Sequence, residues 1–384
     1  MKVLHILLSE AFGGLELYVC NLMLKQSQTG MDIYAYILPN TRVDNYLKKQ
    51  SNHSIHVFYG DTPKKINLKN IKRVRKIVKQ EGIPIIHSHN SLDIWTASIA
   101  CFWTKTKHIY SVYMSVAHSK KTPVHYYIYK KIKRYISTSQ ITNTDIEAKF
   151  PNAKNKTILI PYGLETDKYN CTQEDINEIQ QKYNAENKLV VGFLGRIDIQ
   201  KGVKEVVDSY TLLPENIQKK VIYWIIGEPT IAKSSSDTIV YEEQSLNLEK
   251  YIQSIIQKPE YEKSIVRIGF QEKYISYLGC MDIFILASYK EMYSLSLLEA
   301  MLMKVPIIGT NTGGTVEQIQ NKKTGILIEP KNAKQIAQSV VELVENPDLR
   351  KKYAEEAYKW VKNKHEFNNI LPLYKQVYEE SINE

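Results

Sequence analysis

Short runs of β-branched and aliphatic residues alternate with helical patterns along this whole 384-residue chain, and that alternation leaves few folds open. The first series reads KVLHILLS, DIYAYIL, IHVFYG, PIIHSHN, KHIYSVYM, RYISTS and KTILIPYG. Helical spacing fills most of the gaps, as at Leu15, Val19, Leu22 and Met23. The pattern restarts at KLVVGFLGR and continues through VIYWIIG, SIVRIGF, DIFILAS, VPIIGT and TGILIEP. Strands that are apolar on both faces and separated by helices predict parallel sheets covered on both sides. The polar stretch 165–188, ETDKYNCTQEDINEIQQKYNAENK, separates the two series. The expected architecture is α/β, with two Rossmann-like doubly wound domains facing each other across a cleft, and the length suits two cores. The domain limits are placed at 1–168 and 169–355, with helices in 356–384 packing back towards the first domain.

Composition narrows the class further. Hydrophobic residues make up 43% and charged residues 24%, the balance of a globular chain in water. No apolar run approaches the ~18 residues of a bilayer span. The longest, IWTASIACFW at 94–103, is interrupted by Thr and Ser. The apolar stretch in MKVLHILLSE is too short for a signal-peptide core and reads as a buried strand. Cys20, Cys101, Cys171 and Cys280 stand alone, without CxxC or metal spacing, so a reducing cytoplasm is the expected compartment.

The charge is unevenly spread. Residues 1–170 hold 25 Lys and Arg against 11 Asp and Glu, a net +14, while the remainder holds 26 against 30, a net −4. Only the first half is suited to a polyanion, and a plain solvated surface is the alternative. Two basic segments read as helices. NLKNIKRVRKIVKQ (67–80) turns Ile71, Val74 and Ile77 inward, and HYYIYKKIKRYI (125–136) interleaves tyrosines with Lys130, Lys131, Lys133 and Arg134. Cations with interfacial aromatics suit peripheral contact with the inner face of an anionic membrane. No nucleic-acid module is recognisable.

In doubly wound folds ligands bind beyond the carboxyl ends of the strands, and the informative residues fall there. GFLGRIDIQKG places Arg196 after a strand and Lys201 before a helix, two cations suited to clamp a diphosphate. SEAFGGLE puts Gly13 and Gly14 at a helix start, where backbone N–H groups can approach an anion. EMYSLSLLEAM carries Glu291 and Glu299 at the two ends of an apolar run. With 291–299 as a loop entering a helix, they span about 12 Å, the reach from a sugar across a diphosphate to a ribose. Helical spacing would leave both on one broad face, while two locally capped helix-flanking glutamates are the structural alternative.

EMYSLSLLEAM resembles the E-x7-E motif of retaining nucleotide-sugar glycosyltransferases of the GT-B fold, family 4 (glycosyl transferases group 1). GRIDIQKG, VRIGFQEKYISYLGCMDIFILAS, MKVPIIGTNTGGTVEQI and TGILIEP follow in the family's order, while AFGGLE, IIHSHNS and ILIPYGLETDKY match more loosely. The resemblance implies Glu291 at the donor sugar, Glu299 at the ribose, Arg196 and Lys201 on the diphosphate, and Gly13 and Gly14 as the first glycine loop. It extends the donor contacts to Ile268, Met292, Tyr293, Ser294 and Leu295, and gives His89 a hydrogen bond to substrate. Five positions depart from the family. Tyr162 and Glu165 stand for Asn and Asp, Ser294 for Gly, Tyr113 for a frequent His, and Lys304 for a common Gly.

His87 and His89 share one strand face, yet no third His or carboxylate is spaced to join them as a metal site. No Asp-x-Asp is present to hold Mg²⁺ on a diphosphate, so no cofactor and metal-free catalysis are expected. The expected function is retaining transfer of a sugar from a nucleotide-diphosphate donor to a hydroxyl of a glycan or lipid-linked acceptor, in cell-surface polysaccharide synthesis. A nucleotide-sugar epimerase or hydrolase is a rival reading, although it needs an acid/base pair not found here. A non-catalytic glycan- or membrane-binding relative is another.

Overall fold

The computed structural model describes residues 1–50, 54–62, 64–116, 118–234 and 239–384, and the chain divides into two compact units. The first unit joins Met1–Leu164 to His365–Glu384, and the second runs Glu165–Lys364. The returning segment thus begins at His365 rather than near 356. The helix Pro347–His365 stays with the second unit through buried Tyr353 in its core and a Lys304–Glu355 ion pair at 3.0 Å. The return is stitched to the first unit by Leu164 N–H donating to the His365 carbonyl at 2.7 Å and Phe367 N–H to the Leu164 carbonyl at 3.1 Å.

The first unit holds strands β1 (Lys2–Leu7), β2 (Asp32–Ile37), β3 (Ile55–Tyr59), β4 (Ile85–Ser88), β5 (Lys107–Val112), β6 (Ile132–Ser137) and β7 (Thr157–Leu159). They form one sheet in the order β3-β2-β1-β4-β5-β6-β7, and every pairing is parallel. The second unit holds β8 (Leu189–Leu194), β9 (Val221–Ile226), β10 (Ile231–Ser234), β11 (Ile239–Tyr241), β12 (Ile265–Ile268), β13 (Ile283–Leu286), β14 (Ile307–Thr310) and β15 (Ile326–Ile328). Its main sheet runs β12-β9-β8-β13-β14-β15, again all parallel. The antiparallel hairpin β10–β11 is an addition that the alternation did not foretell. Nearly every residue of β8 and β9 is buried, as continuous apolar runs require when helices cover both faces.

Each sheet has one point where strand order reverses, between β1 and β4 and between β8 and β13. Loops leaving the carboxyl ends of those strands diverge to opposite faces and leave a crevice there. Gly13 and His89 follow β1 and β4, while Arg196 and Glu291 follow β8 and β13. No helix among the described residues is long and apolar enough to cross a membrane.

One expected helix is corrected. The segment 125–136 is a helix only over Pro123–Tyr129, capped by Thr122, and from Ile132 it runs as β6. Lys133 and Arg134 consequently lie on a strand and both pair with Glu384. The basic helix Leu68–Gln80 forms as expected, with the Asn67 side chain accepting from Lys69 and Asn70 N–H.

Candidate functional site

In the second unit the loops after β8 and β13 bring Lys201 and Glu291 together, with Lys201 Nζ 2.6 Å from Glu291 Oε2. Ser288 Oγ donates to the same oxygen at 3.2 Å. Gly202 makes this approach possible. Its φ of +66° is left-handed, and a Cβ there would lie 2.1 Å from the Ala287 carbonyl oxygen. Gly313 and Gly314 back the other side, where a Cβ would meet the Glu291 carbonyl at 2.1 Å and the Met292 carbonyl at 1.6 Å. The two loops therefore pack backbone on backbone, and the Glu291 side chain is fixed between them. Arg196 leaves the end of β8 exposed, with no hydrogen bond or ion pair among the described residues.

Glu291 precedes the helix Leu295–Leu302, so the expected common helical face for the two glutamates does not exist. Glu299 lies inside that helix and is buried. Its Oε1 accepts from Tyr274 Oη at 2.8 Å and Tyr169 Oη at 3.2 Å, two partners the sequence did not single out. Burial raises its pKa, and the two tyrosine hydrogen bonds oppose that rise. Both tyrosines hold the same oxygen, so the second oxygen remains the one able to accept from a ligand.

Ser294, standing where the family has Gly, is the N-cap of this helix and accepts from Leu297 N–H at 3.3 Å. Gln318 clamps its backbone from both sides, accepting from Ser294 N–H and donating to its carbonyl at 2.8 Å each. The first-turn N–H groups at Leu295 and Ser296 have no acceptor within the helix, so this end favours an anion. Met292 and Tyr293 are buried. Ile268, expected among the donor contacts, ends β12. Its side chain is buried, and its carbonyl accepts from Gly227 N–H at 3.0 Å and Arg267 Nη1 at 2.6 Å.

In the first unit, Gly13 caps the helix Gly14–Gln28, but its N–H donates to Glu16 Oε2 at 2.9 Å. Ser9 Oγ donates to Glu16 Oε1 at 2.8 Å. A carboxylate of the chain itself thus holds the Gly13 N–H that had been expected to meet an anion.

His89 is also corrected as a substrate contact, because both its ring nitrogens have protein partners and it is buried. The expectation that no third histidine joins His87 and His89 fails as well. β1 pairs with β4 in the register His5↔His87, and ligand atoms of His5, His87 and His89 lie within 4.8 Å of one another. Hydrogen bonds nevertheless occupy every ring nitrogen of the three. Tyr113 O–H donates to His89 Nδ1 at 3.0 Å, His89 Nε2–H to His5 Nδ1 at 2.9 Å, and His5 Nε2–H to Gln26 Oε1 at 2.8 Å. Gln26 Nε2 donates to Tyr378 Oη at 3.1 Å, Tyr378 O–H to His87 Nδ1 at 2.8 Å, and His87 Nε2–H to Ser111 Oγ at 2.7 Å. With the Gln26 oxygen accepting, these directions run as one chain of seven residues, from Tyr113 to Ser111, in which all three imidazoles are neutral. Burial depresses the His5 pKa to about 4 and holds His87 and His89 well below their ordinary value.

The comparisons with known proteins follow this geometry. Residues 175–360 match the family model of glycosyl transferases group 1, and residues 12–168 match that of glycosyltransferase family 4. An uncharacterized glycosyltransferase of Methanocaldococcus jannaschii, MJ1069, is 28% identical over 67% of this chain and 60% of its own length. The capsular polysaccharide biosynthesis glycosyltransferase CapM of Staphylococcus aureus is 27% identical over 53% of this chain and 48% of its own. The chain thus spans about half to three-fifths of these curated relatives. The crystal structure of HepE from Anabaena in complex with UDP superposes with a TM-score of 0.81 at 18% identity, over 99% of this chain and 100% of that one. The chain belongs to the group 1, family 4 glycosyltransferases and is built on their GT-B fold of two Rossmann-like domains.

Proposed function

We propose that the protein transfers a sugar, with retention of anomeric configuration, from a nucleotide-diphosphate sugar to a hydroxyl of a glycan or lipid-linked acceptor. The observation that carries this reading is the second unit's switch point. There a Lys201–Glu291 pair adjoins a helix N-terminus, and a half-satisfied buried Glu299 lies eight residues beyond Glu291. In this reading the diphosphate meets the N–H groups at Leu295 and Ser296, with Arg196 and Lys201 as its cations. Glu299 receives the ribose hydroxyls through its second oxygen, and Glu291 faces the sugar.

Charge builds on the diphosphate as the bond to the anomeric carbon breaks, and fixed cations stabilise that charge most when water is excluded. Lys201 is held by Glu291 before ligand arrives, so the diphosphate competes for a cation already in place. Attack from the leaving-group side is the route to retention that the family implies. The likeness to CapM, a capsular polysaccharide enzyme, supports a surface-glycan acceptor, and the UDP bound by HepE makes UDP-sugars the first donors to try. We place the reaction in the cytoplasm and without a metal.

A thermal-shift panel of nucleotide sugars tests the donor, since a ligand at 100 times its Kd stabilises by about 2.7 kcal/mol. The donor that shifts the protein should then support transfer to a lipid-linked saccharide, give an α product from an α donor by NMR, and persist in EDTA. Stabilisation by no nucleotide sugar contradicts the donor reading. Donor consumption at equal rates with and without acceptor favours a hydrolase instead.

A further inference from the structure

A surface of the first unit, separate from the candidate site, gathers exposed aromatics and unpaired cations. Segments 62–80 and 94–144 contain no Asp or Glu, yet each carries eight Lys and Arg. The helices Leu68–Gln80, Asp93–Ala100 and Pro123–Tyr129 pack side by side, so these two acid-free segments adjoin. Where they meet, Trp103 stands 80% exposed on the turn after Ala100. Its φ of +59° lies in the left-handed region, which a bulky side chain rarely adopts. The turn thus holds a large apolar ring outward in a conformation that disfavours it.

Cations surround the ring and its neighbours. The Arg75 guanidinium sits 5.5 Å from the Trp103 ring centroid. Phe102 stacks on Tyr127 at 5.1 Å, Lys131 lies over Phe102 at 4.8 Å, and Lys130 lies over Tyr127 at 4.2 Å. Lys130 and Lys131 make no ion pair among the described residues, in contrast to Lys133 and Arg134, which both pair with Glu384. Lys72 and Lys79 are exposed at helical spacing on either side of Arg75.

We propose that this surface docks on an anionic lipid bilayer, with Trp103 and Tyr127 entering the headgroup layer and Arg75, Lys130 and Lys131 meeting lipid phosphates. Tryptophan and tyrosine favour that layer, and cations beside it are drawn to acidic headgroups. Nucleic acid fits less well. Base stacking needs open ring faces, and here Phe102 and Tyr127 cover one another while lysines and Arg75 lie over the rings.

Flotation with phosphatidylcholine vesicles, with and without ~30% phosphatidylglycerol, tests the docking. The wild type should float with the acidic vesicles at low salt and detach as salt rises, because screening shortens to about 8 Å at physiological strength. Trp103→Ala and the double change Lys130→Ala/Lys131→Ala should each weaken partition at least ~5-fold, with thermal midpoints little changed because Trp103 and Lys130 are exposed and Lys131 is half-exposed. Brominated lipid should quench the wild type and spare Trp103→Phe. Wild type remaining below acidic vesicles at low salt overturns the proposal. So does partition that Trp103→Ala leaves unchanged, or tighter binding to single-stranded polynucleotide than to vesicles.

Discussion

The two units repeat one topology and use its switch point in opposite ways. Between β1 and β4 the first unit buries three neutral histidines in a continuous chain of hydrogen bonds, and even the capping Gly13 N–H is satisfied by Glu16. Between β8 and β13 the second unit leaves Arg196 exposed, ties Lys201 to Glu291 at the rim, and half-satisfies Glu299. A polar group whose partners are all supplied by the protein builds the fold. A polar group left with spare capacity at a crevice is available to a ligand. The same strand order thus gives a rigid scaffold in one unit and a charged receptor in the other.

The largest expected effect tests the receptor side. Arg196→Ala and Lys201→Ala should each slow transfer by at least ~100-fold, since a lost charge-stabilising contact costs about 3 kcal/mol, with little change in thermal midpoint. Steady-state rates on the donor found by thermal shift provide the check.

The scaffold side should respond in the reverse sense. His89→Ala leaves His5 Nδ1 and the Tyr113 hydroxyl buried without their partner, and should cost about 2–4 kcal/mol of stability by denaturant titration. Acid should act on the same chain of histidines. The folded pKa of His5 is about 4, and those of His87 and His89 are also depressed, so the unfolded chain binds more protons below its ordinary value of 6.5. Stability present above pH 6.5 should fall as pH drops towards 4, and unfolding midpoints across that window will show it.

A smaller effect sharpens the contrast within the first unit. Asp93 is buried, accepts from Leu8 N–H at 3.3 Å, and has its pKa raised by burial to about 8. A carboxyl raised in the folded state contributes fully at low pH and loses that contribution as pH rises through 8. Asp93→Asn should therefore leave the melting temperature nearly unchanged near pH 4 and raise it by roughly 5 °C near pH 8. The smallest change is Lys304→Gly. Lys304 has φ +56° and ends the helix Leu295–Leu302 with its N–H on the Met301 carbonyl and the Val305 N–H on that of Ala300. Glycine at that left-handed position should add up to ~1 kcal/mol by thermal melt, because the exposed Glu355 pair that it removes contributes little.

The strands of both sheets were legible because buried parallel strands need continuous β-branched runs, as in LVVGFL and VIYWII. Arg196 and Glu291 were legible because each closely follows such a run, and Lys201 because it stands five residues after Arg196 on the same loop. The partners that decide their neighbours' chemistry were not. His5 reaches His87 only once β1 lies beside β4, and Tyr169 and Tyr274 reach Glu299 from 130 and 25 residues away. The change from helix to strand after Tyr129 was hidden because the tyrosine and lysine pattern of 125–136 continues through it. Pairing of Lys133 and Arg134 with Glu384, at the far end of the chain, then removes two of the four cations expected on one face.

The central claim is that the receptor unit divides one donor between its two glutamates, Glu299 at the ribose and Glu291 at the sugar. Calorimetry with UDP on the wild type, Glu299→Ala and Glu291→Ala tests it most directly. Glu299→Ala should weaken UDP binding by at least ~10-fold, the loss of a charged hydrogen bond, while Glu291→Ala should bind UDP nearly as the wild type does and lose turnover. Equal losses of UDP affinity in both variants, or none in Glu299→Ala, would contradict that division.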